Sequence, residues 1–153
     1  MKCIFCESVN NNPDALIISK DKNVVTFLDK FPRTRAHMLI APKQHFRDIY
    51  SIPKELKIEI FNQLSLFCDV LKEYGAKGIN IGSNIGALAG QQVPHFHIHL
   101  IPRYEKNDAV EIEPAFKNTP WDQKSLSISI EEMKQICHEL RQLYRKWLCP
   151  KVT

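Results

Sequence analysis

An α+β fold built on an antiparallel sheet is predicted for this chain by three observations. Short apolar, β-branched runs recur at residues 14–19, 23–28, 36–41, 78–84 and 94–101. Two longer stretches, 53–74 and 129–148, carry apolar residues at spacings of three and four. The order is strands, helix, strands, helix, so about five strands should pair antiparallel, with one long helix and a C-terminal helix.

Each element has a local reason. Lys20-Asp21-Lys22 separates the first two runs and predicts a hairpin. The third run, Ala36 to Ala41, follows a turn marked by Pro32 and stops at Pro42. The helix over 53–74 shows Leu56, Ile60, Leu64, Phe67, Leu71 and Tyr74 on one stripe. Pro53 suits its first turn and Gly75 its stop. Gly78 to Asn84 alternates as a fourth strand, and the small-residue loop Gly86-Ala87-Leu88-Ala89-Gly90 leads toward the fifth. Residues 105–128 have no clean period, contain Pro114 and Pro120, and are expected to be irregular. The last helix opens at Ser129 with Glu132 three residues on, a capping-box spacing. Its apolar face is Ile130, Met133, Ile136, Leu140, Leu143 and Trp147. Residues 1–153 together have the length of one domain.

Composition excludes several classes. Hydrophobic residues make up 44% and charged residues 25%, too apolar for a disordered chain. No apolar run reaches the roughly 20 residues of a membrane span, and the N-terminus has no apolar signal core, so a cytoplasmic protein without membrane contact is expected. The charge of +4 comes from lysines and arginines interleaved with acids, as in Lys54-Glu55-Leu56-Lys57. A nucleic-acid partner is therefore not expected. Five cysteines are an odd count, and reduced thiols are expected. Cys68 and Cys137 fall on apolar helix faces.

The informative stretch is His95-Phe96-His97-Ile98-His99-Leu100. On a strand, the three histidines share one face and Phe96, Ile98 and Leu100 the other. Three readings compete: solvated or hydrogen-bonded histidines, a three-histidine zinc site, or one nucleophilic imidazole prepared by its neighbours. Asn84, the glycine loop to Gly90, and Gln92 lie just before this stretch and favour the third. Glycines let backbone N–H groups approach a phosphate, although this loop has neither P-loop nor dinucleotide-fold spacing.

Cys3-x-x-Cys6 has the spacing of a metal-ligand pair. Two more ligands would close a tetrahedral site, and His37, His45, His95 and His138 are all candidates. Spacing does not choose among them.

Taken together, these residues resemble the histidine triad (HIT) family. His95-Phe96-His97-Ile98-His99-Leu100-Ile101 fits its His-x-His-x-His pattern. The resemblance extends to Cys3-Ile4-Phe5-Cys6, to Phe27-Leu28-Asp29 with His37 through His45, and to Ala89-Gly90-Gln91-Gln92-Val93-Pro94. It covers residues 1 to about 104. It implies a HIT-like α+β meander sheet with a long helix, usually homodimeric. It implies a purine nucleoside monophosphate ligand and cleavage at its α-phosphorus through a nucleotidyl-histidine intermediate.

By position, the resemblance makes His97 the nucleophile and puts His99 on the α-phosphate and leaving group. Asn84, Gly90 and Gln92 would lie near the phosphate. Asp29 would bind the ribose hydroxyls, and Phe27 and Ile40 would wall the base. Cys3, Cys6, His45 and His95 would hold a structural zinc, with no catalytic metal. His37 would support the nucleophile. One position departs from the pattern: Ala36 stands where members commonly carry glycine. A phosphoramidate is the favoured substrate. A dinucleoside polyphosphate hydrolase or phosphorylase shares the triad, and a nucleotide-binding scaffold is the alternative of another class.

Overall fold

The computed structural model describes residues 3–11, 15–106, 108 and 125–148, with backbone alone at 8–11. The elements are α1 (Ile4–Asn11), β1 (Ile17–Lys20), β2 (Val24–Leu28), β3 (Met38–Pro42), α2 (Lys54–Glu73), β4 (Gly78–Gly82), β5 (Ile98–Arg103) and α3 (Ile130–Leu148). Short 3-10 turns cover Ile49–Ser51 and Ala87–Ala89. The expected irregular stretch lies outside the described residues except at 105, 106, 108 and 125–128. Asp14, the expected start of the first strand, and Cys149 also lie outside them.

The expected α+β fold is present, with five strands in the order β1-β2-β3-β5-β4 and every neighbouring pair antiparallel. Only β1 to β3 run as a meander. The chain then crosses through α2, forms β4 at the sheet edge, and returns as β5 between β3 and β4. Helix α1 was not expected, because its short Cys-rich sequence carries no helical apolar stripe.

Both faces of the central strands are covered. Val24, Leu28, Met38, Ile40, Ile98 and Leu100 pack with Ile60, Leu64, Phe67 and Leu71 of α2 and Ile136 and Leu140 of α3. Each fully buried side chain of this kind contributes about 2 kcal/mol of transfer free energy. Phe67 and Tyr144 stack between the helices, centroids 5.1 Å apart and 5° from parallel. On the other face Val25, Phe27, Leu39 and Ala41 meet Phe5 of α1. Helix α3 packs on its own chain, with Met133, Ile136, Cys137, Leu140 and Tyr144 buried. Ser129 caps it as expected, its Oγ accepting from the Glu132 N–H at 3.1 Å. A bulge between Ile17 and Ser19 breaks the β1–β2 register. Arg141 of α3 donates to the Ile17 carbonyl at 2.6 Å, so the bulge does not leave a buried acceptor unpaired.

Strand β5 begins at Ile98 rather than near 94. Pro94 has no N–H to give. The Phe96 N–H goes instead to the Phe46 carbonyl at 2.6 Å, and the His97 carbonyl accepts from Ser83 Oγ at 2.7 Å. Phe96, Ile98 and Leu100 still enter the core as the alternation requires.

Ala36 adopts a left-handed backbone with φ of 62°. An L-residue there carries strain of about 1 kcal/mol, so the turn keeps its glycine-like conformation without the glycine. Among the described residues, Thr26 Oγ1 is a buried polar atom without a hydrogen-bond partner, on a residue with no exposure. Thr26→Val keeps the shape and removes the stranded hydroxyl, and should add about 1 kcal/mol of stability, read as a higher midpoint in a thermal melt.

Candidate active site and metal centre

The turn between β2 and β3 builds the first half of the site. Asp29 Oδ1 accepts from the Phe31 N–H at 2.9 Å. The left-handed Ala36 folds the chain back, so that the Arg33 N–H donates to His37 Nδ1 at 3.1 Å. Thr34 Oγ1 anchors the turn on the Pro102 carbonyl at 2.8 Å.

These bonds set the protons on a histidine relay. An N–H can only donate, so His37 Nδ1 holds its lone pair. Burial with Arg33 nearby pushes the His37 pKa down to about 3, so its single proton sits on Nε2. That nitrogen lies 3.0 Å from His99 Nδ1 and donates to it. Burial and the neighbouring His37 hold His99 well below the ordinary imidazole range. Neutral His99 therefore carries its proton on Nε2.

His97 has the opposite arrangement. Its Nδ1 lies 2.7 Å from the His95 carbonyl oxygen. A carbonyl only accepts, so Nδ1 carries the proton and Nε2 the lone pair. Burial lowers the His97 pKa as well. The two rings meet edge to face at 4.8 Å. One imidazole offers a bare nitrogen that could act as a nucleophile, and the other offers an N–H donor.

Both histidines line a cavity of about 560 Å³, large enough for a small ligand. The expected Phe27, Asp29, Asn84, Gly90 and Gln92 line it too. Ile40 does not: it is fully buried against the helices, and Leu39 lines the cavity. The expected wall was one residue out of register, and side chains alternate between faces. Sequence reasoning also missed Ile4 and Phe5 of α1, Leu16, and Ile130 and Met133 of α3. Only the apolar stripe of α3 carried a signal, and it did not say which end of the helix reaches the site. Gln91 was missed as well: it accepts from the Gly86 N–H at 2.8 Å and donates to the Arg47 carbonyl at 2.7 Å, closing the glycine loop.

The three triad histidines do not share one task. His95 is turned to the N-terminus, where Cys3, Cys6, His45 and His95 bring their donor atoms within 4.8 Å of one another. Cys3 Sγ and Cys6 Sγ lie 3.4 and 3.6 Å from His95 Nδ1, and Cys6 Sγ lies 3.5 Å from His45 Nδ1. A tetrahedral zinc with ordinary Zn–S and Zn–N bonds holds sulfur and nitrogen about 3.6 Å apart. His95 Nε2 donates to the Pro42 carbonyl at 2.8 Å, which leaves Nδ1 as the lone-pair donor. Two thiols and two imidazoles at these distances could hold zinc. Asp29, His37 and His99 form a second close group, but their 3.0 Å His–His contact is the relay hydrogen bond. Among the described residues, no helix is long and apolar enough to cross a membrane.

An antiparallel α+β sheet, a pair of buried histidines at a ligand-sized cavity and a neighbouring Cys/His donor set define a histidine-based ligand-binding class. Residues 10–106 match the HIT domain, and the chain belongs to the HIT family. It is 36% identical over 121 residues to an uncharacterized HIT-like protein of Methanocaldococcus jannaschii, covering 79% of this chain and 94% of that one. It is 31% identical over 106 residues to the adenylylsulfatase HINT3 of Arabidopsis thaliana, covering 69% and 54%. A hypothetical histidine triad nucleotide-binding protein of Sulfolobus tokodaii superposes with TM-score 0.77 at 26% identity, covering 94% of this chain and 93% of that one. A zinc-bound histidine triad family protein of Mycobacterium smegmatis superposes with TM-score 0.74 at 28% identity, covering 95% and 98%.

Burial raises the Asp29 carboxyl pKa to about 6 from its ordinary 3.8. The folded protein thus holds that proton more tightly than the unfolded chain, and stability is lost as pH rises from about 4 to 6. Asp29→Asn should recover about 2–3 kcal/mol above pH 7 and nothing below about pH 3.5, as measured by denaturant melts across that range.

Proposed function

We propose that this protein is a nucleotide hydrolase or transferase. It cleaves at the α-phosphorus of a purine nucleoside monophosphate conjugate, a phosphoramidate by preference. The observation that carries this reading is the opposed tautomers of His97 and His99, each set by a backbone atom.

His97 Nε2 attacks the phosphorus. The bond to the leaving group breaks with its electron pair going to nitrogen. The conjugate enters protonated on its bridging nitrogen, so the amine departs neutral, while the His99 Nε2–H stays hydrogen-bonded to a phosphoryl oxygen. Water then attacks the nucleotidyl-histidine and places its oxygen on phosphorus, the bond to His97 Nε2 breaks with its electron pair returning to the ring, and one water proton goes to solvent. Free nucleoside monophosphate and neutral His97 result. Covalent catalysis of this kind needs a nucleophile that is also a competent leaving group, and imidazole is both. Asn84 and the Gly90–Gln92 loop would face the phosphoryl oxygens. Asp29 would take the ribose hydroxyls, and Ile4, Phe5, Phe27 and Leu39 would wall the base. The adenylylsulfatase relative supports an adenylyl group as the retained half.

The Cys3, Cys6, His45 and His95 set would hold zinc in a structural role, because four protein ligands leave no open position. Each chain should then carry one zinc, read by elemental analysis, and His45→Ala should lower that content. A second copy would join along β4, the edge strand whose Ile81 is 51% exposed. A reducing cytoplasm would keep the thiols available as ligands.

Brief mixing with an adenosine phosphoramidate, followed by intact-protein mass spectrometry, tests the chemistry. Wild type should show a transient adduct of one AMP, and His97→Ala should show none. Steady-state turnover in the variant should fall about 10³-fold or more, while AMP binding persists. Absence of both adduct and released AMP in wild type would remove the phosphoramidate reading. A dinucleoside polyphosphate in the same assay then separates the other hydrolase from a binding scaffold.

A further inference from the structure

The metal donor set and the cavity share one element. Cys3 and Cys6 bracket Ile4 and Phe5 at the start of α1, and Ile4 and Phe5 line the cavity. The Phe5 ring sits edge-on to His97, centroids 5.0 Å apart and 81° from parallel. It meets Phe27 at 5.4 Å and His95 at 5.8 Å. One side chain therefore touches a metal-donor ring, the reactive ring and a cavity wall.

Helix α1 has eight residues, well short of the roughly 12–15 that hold a helix in water without tertiary support. Cys3 precedes the helix and Cys6 lies in its first turn, and their partners His45 and His95 sit on the body of the protein. Metal bonds there would fix the helix, and the helix carries Phe5. His95 extends the same connection, because its carbonyl holds His97 Nδ1.

We propose that Phe5 is a positioning residue that couples metal occupancy of the Cys3, Cys6, His45 and His95 site to nucleotide binding beside His97. This rests on the proposed nucleotide function. Metal closes the wall that Phe5 forms, and a bound nucleotide in turn holds α1 where the thiols meet the imidazoles. The coupling must be reciprocal, since each ligand changes the other's affinity by the same factor.

The test uses the full chain, Zn²⁺ and AMP. Calorimetry gives the AMP Kd of zinc-loaded and chelator-treated protein, with circular dichroism confirming that both are folded. Competition with a chromophoric chelator gives the zinc affinity with and without AMP. Zinc should tighten AMP about tenfold, and AMP should tighten zinc by the same factor. Phe5→Ala should keep one zinc per chain, bind AMP weakly in either state, and show no such coupling. Equal AMP affinity in two folded states of wild type overturns the proposal and leaves the nucleotide reading standing. Loaded wild type that does not bind AMP overturns that reading instead, and this proposal with it. If the chelated protein loses its fold, the Phe5→Ala comparison decides: full coupling retained in the variant overturns the proposal, and coupling lost supports it.

Discussion

Two backbone hydrogen bonds decide which nitrogen of each reactive imidazole carries a proton, and the rest of the site depends on them. The His95 carbonyl assigns the proton of His97. The Arg33 amide assigns that of His37, and through it that of His99. Backbone groups suit this task because they cannot titrate or rotate away. Water in a solvated cleft would exchange the tautomers freely. Burial removes that water and also keeps the rings neutral, since an imidazolium would lose its hydration. A bare imidazole nitrogen and an N–H donor are thus set side by side before any ligand arrives, as electrostatic preorganisation requires.

The fold exists in the form that makes those bonds possible. The Arg33 amide reaches His37 only because the chain doubles back at Ala36 in a left-handed conformation. The His95 carbonyl turns to its neighbour's ring because residues 95–97 stand outside the β5 ladder. The turn and the ladder's late start are therefore conditions of the chemistry. His95 serves on three sides: its Nδ1 faces the thiols, its Nε2 donates to the Pro42 carbonyl, and its carbonyl accepts from His97 Nδ1.

Much of this was legible in the chain. Apolar periodicity located five strands and two long helices, since those signals are what buries the core. The resemblance to the histidine triad family then brought together Cys3, Cys6, His45 and His95, which spacing alone left undecided. The misses have local causes. Ile40 was assigned to the cavity and Leu39 was not, because the parity of a strand is decided by its partners, and β3 is apolar on both faces. Helix α1 was missed because its fixed position comes from Phe5 packing and from donors distant in sequence. The start of α3 was seen as a helix end and not as a cavity wall, because periodicity identifies a face and not its neighbour.

The insertion of β5 between β3 and β4 has a consequence for biogenesis. During synthesis, β1 to β3 emerge before the partner of β3's second edge exists. β4 emerges next, yet it has no place in the sheet until residues 98–103 arrive to join it to β3. Completion of the sheet and delivery of His97 and His99 to the cavity are thus one event, late in translation. A chain arrested before that point presents Met38–Pro42, buried throughout in the finished protein, as an apolar strand with an unpaired edge. Such an edge is a template for aggregation, and it stays open from the end of β3 until β5 has emerged.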